Sequence, residues 1–340
     1  MFLCFFMMGT TFSAEQKTPQ IPAETRPEQV TVVASDDRGK APQKCKVGFY
    51  IISLYDLNPN DNTFSSDFWV WFNHRIPNAD MIKSAEFKNA KEYSRIVEDT
   101  ETKNGIVWSA EKVKAKLLHE WSISNFPFDS HKFKINIEEG LKDADELVFE
   151  LDKENSKISK DLSLDGWKIK GFQIEQTTIK YDSTFGDPAG KDGSSYAGVT
   201  ATINITRDAM SLFYKLHIGV YIAFLITVLA FFMETSSEDI FSGRIGLIVA
   251  MLFASILNAQ TAESTVGQTA ELTLIDKIHS TTYCYIFIAI LITLLSRYLS
   301  AKGKDDLAKK INFLASILFL STYCGINAWL ITSAASSVAR

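Results

Sequence analysis

The stretch SLFYKLHIGVYIAFLITVLAFFMETSSEDIFSGRIGLIVAMLFASILNAQ, residues 211–260, decides the fold. It opens two apolar runs, 211–233 and 243–262, each near the ~20 residues that cross hydrocarbon as a helix. Only ETSSEDIFS separates them, which is a turn and nothing more. Two further runs, at 279–299 and 311–333, complete a set of four. The connection between the third and fourth carries Arg297, Lys302, Lys304, Lys309 and Lys310, and short basic connections stay in the cytoplasm. That orientation puts the chain before residue 211, the second-to-third connection and the carboxyl terminus outside the cytoplasm.

The remainder is of a different kind. All eight prolines lie at or before Pro188, so 340 residues with 46% apolar and 22% charged side chains divide into a polar half and a membrane half. This excludes a purely soluble protein and a polytopic transporter with little outside the bilayer. A net charge of -5, from 35 basic and 40 acidic residues, supplies no basic footprint for nucleic acid. The four cysteines, Cys4, Cys45, Cys284 and Cys324, are too scattered for a disulfide framework or a cysteine-rich zinc site.

MFLCFFMMGTTFSA, residues 1–14, reads as a secretory signal that lacks a basic n-region. A lipid anchor on Cys4 would need a longer apolar run before it. Residues 15–45, with Pro19, Pro22, Pro27 and Pro42, read as a flexible linker. From 46 to 208 the pattern is one of strands: VGFYIISLYDL, FSSDFWVWFNHR, KVKAKLLHEWSIS, KFKINIEE, ELVFELD, WKIKGFQIEQTTIKY and AGVTATINITR. They are β-branched and aromatic, often alternate, and are broken by NPND, FPFD, DKEN and GDPAGKDG. Seven or more short strands predict an all-β sandwich, followed over 209–340 by a four-helix transmembrane bundle. A helical pattern over 79–93 is weak and stays open.

Four stretches, in this order, carry a resemblance. SLYDLNPNDNTFSSDFWVWF (53–72) resembles a family's first hairpin, NFPFDSHKFKI (125–135) its signature loop between two strands, Arg207 its arginine before the first membrane helix, and GRIGLIVAMLF (243–253) the start of the pore helix in its anion-selective eukaryotic members. The chain is similar, over about 46–333, to the prokaryotic pentameric ligand-gated ion channels, relatives of the Cys-loop receptors without the large intracellular domain. The cysteines that flank the signature loop in other relatives are absent, as is a proline within the first membrane helix and another after the pore helix. The resemblance implies a homopentameric ring in a lipid bilayer, gated by a small-molecule or ionic ligand and passing inorganic ions. It implies no cofactor and no catalytic residue.

It also implies roles for particular residues. Pro127 and Asp129 of the signature loop, Arg207 and Asp56 would couple the two domains. Aromatic side chains would wall a ligand site between subunits, since ring faces attract organic cations: Phe149, then Tyr181, Phe185 and Tyr196 flanking GDPAGKDG, and Trp69, Trp71 and Trp108 on the opposing face. Asp182, Asp187 and Asp192 crowd that hairpin without the spacing of an EF-hand. His74, His119 and His131 are candidate proton sensors. Helix geometry, taken without the resemblance, gives the pore face: at about 100° per residue, Asp239, Ser242, Gly246, Ala250, Phe253, Leu257, Gln260 and Ser264 fall on one stripe. A helix-packing seam through Gly246 and Ala250 is the competing reading of that stripe. Glu238, Asp239 and Glu263 favour cations, and Arg244 argues the other way. A nonconducting membrane receptor is the alternative function. An enzyme fits least, because no catalytic constellation, phosphate loop or metal motif stands at informative spacing.

Overall fold

The computed structural model describes residues 41–186, 193–266 and 271–337. The expected signal and nearly all of the expected linker, together with Asp187 and Asp192, lie outside the described residues. An N-terminal domain of two β-sheets precedes four long apolar helices.

The first sheet runs β4 (Ala90–Lys103), β5 (Ile106–Leu118), β2 (Thr63–His74), β1 (Gln43–Asn58), β7 (Leu147–Leu151), and β8 (Lys157–Ile158) pairs with β1. The second runs β3 (Ala85–Phe87), β6 (Ser130–Asp143), β10 (Ser194–Arg207), β9 (Trp167–Tyr181). Alternation dictates which face each strand buries. In β2, Phe64, Phe68 and Phe72 are fully buried while Trp69 and Trp71 point the other way. In β6, Phe133, Ile135 and Ile137 face inward between exposed lysines. Phe64 and Phe133 stack across the two sheets at 4.3 Å. Each such ring contributes about 1.5–3 kcal/mol of burial.

The open pattern over 79–93 resolves into three pieces: α1 (Met81–Ser84), a single helical turn capped by Asp80, then β3 and the start of β4. Strand β4 lies at the sheet edge and is largely exposed, so it has no apolar face to alternate. Its pairing is set instead by Asn104 and Gly105, both at positive φ, in the two-residue turn that joins Lys103 to Ile106.

The four membrane-length helices are α2 (Ala209–Leu229), α3 (Glu238–Val266), α4 (Leu274–Ala301) and α5 (Asp305–Ser337). The α2–α3 and α4–α5 connections share one end of the bundle, where Arg297 donates to the carbonyls of Thr235 and Ser236 and Lys309 pairs with Glu234 at 2.8 Å. The sandwich meets the other end. Its core is continuous with the helices there, because Trp121, Ile123 and Phe126 belong to the same apolar cluster as Leu216 of α2, Ala262 of α3 and Ile275 of α4. The outer flanks of α4 and α5 expose Phe287, Leu291, Leu295, Phe313, Leu318 and Trp329, as a hydrocarbon solvent requires.

Candidate functional site

Helix α3 packs between α2 and α4 and divides lengthwise by burial. Arg244, Ile248, Ser255 and Ala262 are buried on one side. All eight residues of the expected pore stripe, Asp239, Ser242, Gly246, Ala250, Phe253, Leu257, Gln260 and Ser264, are exposed on the other, Phe253 at 61% and Leu257 at 63%. Two apolar side chains stand in the middle of a stripe that is polar at both ends. Glu238 and Glu263 are also exposed. Arg244 is not on that face: it donates to the carbonyl of Met233 and to Asn312 Oδ1, both at 3.1 Å, and lies over the Phe231 ring.

Behind the stripe, polar side chains hold α3 in place. Asn258 reaches His279 Nε2 at 3.0 Å, and the imidazoles of His279 and His217 each bond, through Nδ1, a carbonyl one turn earlier. Gly219 of α2 lies so close that a Cβ there would stand 3.0 Å from Asn258 Nδ2. Sequence reading missed this set because its members sit on three different helices.

At the junction of the domains, the FPFD loop buries Asp129 at 3% exposure. Arg207 grips it with two charge-assisted bonds, Nε to Oδ1 at 2.6 Å and Nη2 to Oδ2 at 2.9 Å. The backbone N–H of Arg207 also donates to the Asp129 carbonyl. The guanidinium lies over the rings of Trp167, at 4.0 Å, and Phe126, at 4.6 Å. Pro127 is buried after a cis peptide bond, and Phe128 packs on Phe213 of α2 at 5.5 Å. Asp56 stands apart from these three: it is exposed on the first sheet, lining a hollow of about 330 Å³ with Glu92, Lys114 and Lys116.

The same carboxylate meets one histidine, which in turn meets a second. His131 Nε2 is 2.9 Å from Asp129 Oδ2, and His131 Nδ1 is 3.3 Å from His119 Nε2. Facing a carboxylate, His131 Nε2 is the donor of the first of these contacts. Burial alone would raise the Asp129 carboxyl, but the bonds from His131 and Arg207 and their charges outweigh it and hold it below the ordinary range. Burial lowers His119 to about 4, with His131 and Lys134 adding to the effect. His74, the third candidate sensor, is buried elsewhere in the core; burial lowers its pKa, and its Nδ1 accepts from the Ile76 N–H.

The candidate ligand residues separate into three places. Tyr181, Phe185 and Tyr196 form a triangle of rings on the second sheet, with centroids 5.2, 5.9 and 6.5 Å apart. Trp69, Trp71 and Trp108 lie on the outward face of the first sheet, where Trp108 is 36% exposed and Trp71 donates its indole N–H to Asp152. One chain therefore does not bring the two sets together. Phe149 belongs to neither. It is fully buried beside Phe72, so the ring offers no surface to a ligand; the alternation of LVFEL turns Leu147 and Phe149 into the core.

Beneath the ring triangle are charges that sequence reading missed. Glu138 is 5% exposed and accepts a 2.8 Å bond from the Tyr181 hydroxyl. Burial, then that bond and the carboxylate's charge, push the phenol up to about 12. Glu86 approaches the same place, against Gly140, where a Cβ would meet its carboxylate at 2.8 Å. Lys88 stands with its ammonium 4.7 Å from the Tyr181 ring centroid and 3.9 Å from Glu138. A signal existed in KFKINIEE: two consecutive acids end an alternating strand, so parity sends Glu139 inward with Ile137 and leaves Glu138 on the hairpin side. The arrangement of three rings over buried carboxylate is suited to an organic cation. No protein-family model and no curated protein matches the chain.

Proposed function

We propose that the protein is one subunit of a pentameric ligand-gated ion channel of the Cys-loop receptor type, with its sandwich outside the cytoplasm. The observation that carries this reading is the exposed stripe of α3. A membrane helix that merely packs on its neighbours has no reason to leave aspartate, serine and glutamine aligned on a free face, since each is costly in hydrocarbon. Copies arranged about an axis turn that face to water and stack Phe253 and Leu257 into apolar rings that block ions by dewetting.

Three further features support it. The two aromatic sets lie on different sheets of one chain, and a heterologous contact repeated around a ring brings the hairpin of one copy to the tryptophans of the next. The ligand class that suits the hairpin is a small organic cation. Helix α3 exposes Glu238, Asp239 and Glu263 while hiding Arg244, which favours permeant cations over anions. The basic α4–α5 connection sets the orientation.

Image averages of the purified protein viewed down the axis test the assembly. Five subunits around a central density minimum are expected. Averages with four or six copies, or a monomer under the same conditions, contradict it.

A further inference from the structure

We propose that Lys88 is a tethered occupant of the aromatic box and competes with the ligand for it. This rests on the reading of the box as an organic-cation site. The ammonium lies in the two contacts a ligand ammonium would make there, the Tyr181 ring face at 4.7 Å and Glu138 Oε2 at 3.9 Å. Glu138 also holds the Tyr181 hydroxyl, so one carboxylate orders both the ring and the lysine that covers it.

The tether is short and firmly anchored. The Lys88 N–H donates to the Asn136 carbonyl at 2.9 Å. Next to it, Asn89 bonds the carbonyls of Leu118 and Lys134 and accepts from the Asn136 N–H. An ammonium on a short stem fixed at its base has a high effective concentration at the site, on the order of millimolar or above. The contact itself is weak. At 3.9 Å from Glu138, and with 41% of the lysine side chain exposed, the pair sits at the outer limit of a salt bridge, so the ammonium swings out at little cost. Glu86 lies near enough for its charge to act on Tyr181 alongside that of Glu138, which leaves negative charge for an incoming cation. Lys88 thus weakens ligand affinity by the fraction of time it fills the box without closing it.

The test uses the full-length protein in detergent, with tetramethylammonium as the probe titrated by calorimetry. Lys88→Gln is expected to bind about two- to sixfold more tightly than wild type. Lys180→Gln removes the same charge from an exposed position beside Tyr181 on β9 and is expected to match wild type. Hydrogen exchange provides a second reading. Amides of 181–186 and 193–196 should exchange faster in Lys88→Gln than in wild type, and tetramethylammonium should restore protection. Equal affinities of wild type and Lys88→Gln overturn the role of Lys88 and leave the cation site standing. Equal gains from both substitutions reduce the effect to net charge and overturn it too. Absence of binding by all three proteins overturns the cation site itself, and this proposal with it.

Discussion

Asp129→Ala is expected to lower the stability of the folded protein by about 3–5 kcal/mol, the usual result of stripping one partner from a buried ion pair. Arg207 would keep a guanidinium in an aromatic pocket with no counter-charge, and His131 would lose its acceptor. The junction would then loosen where Phe128 and the shared apolar cluster bind the sandwich to α2, α3 and α4. The measurable consequences are a lower thermal midpoint, reduced surface expression and a loss of ligand response in whatever protein is expressed. Lys157→Ala, an exposed lysine on β8, should change none of these. Asp129→Ala/Arg207→Ala should fall well short of the sum of the two single changes, because the second removes the charge that the first stranded. A wild-type midpoint and response in Asp129→Ala contradict the coupling role.

A second large effect is expected at the centre of α3. Phe253→Ala removes a ring that is 61% exposed in the subunit. In the proposed closed assembly, each ring's apolar contact would be worth about 1.5–3 kcal/mol. Repeated in every copy, its loss should shift the resting equilibrium toward conduction by tenfold or more, seen as basal current without ligand. Ile256, three positions on and partly buried in the bundle, should tolerate alanine with little leak. Cysteine scanning gives an independent view: labelling in the open state should reach positions 253 and 257 and spare 256. Equal leak from the two alanine variants, or labelling at 256 alone, contradicts the pore face.

What could be read from the sequence follows from what is local. The sandwich was legible because β2, β6 and β10 alternate over much of their length, each burying one face against the other sheet. The four membrane helices were legible from length and apolarity alone, and the stripe on α3 from helix phase. The Asp129–Arg207 pair, separated by 78 residues, was legible only through the resemblance of the FPFD loop, since nothing in its spacing brings the two ends together. Where exposure removes the apolar face, as along β4, periodicity has nothing to report; the Asn104–Gly105 turn was the better clue and lay outside the weak helical pattern. Phe149 shows the converse limit, because an aromatic in an alternating strand does not declare which face is the core. Glu138, Lys88 and Tyr181 converge from three strands or turns, and Asn258, His217 and His279 from three helices, so no window of sequence contains either set.

The most direct measurement of conduction is a recording from the purified protein in a planar bilayer with a salt gradient, with tetramethylammonium or another small organic cation added on the sandwich side. Discrete unitary steps that appear with the ligand and reverse toward the cation equilibrium potential are the predicted result. A bilayer that stays silent with ligand, in wild type and in Phe253→Ala alike, would contradict the channel, and steps that reverse with chloride would contradict the charge selectivity assigned to Glu238, Asp239 and Glu263.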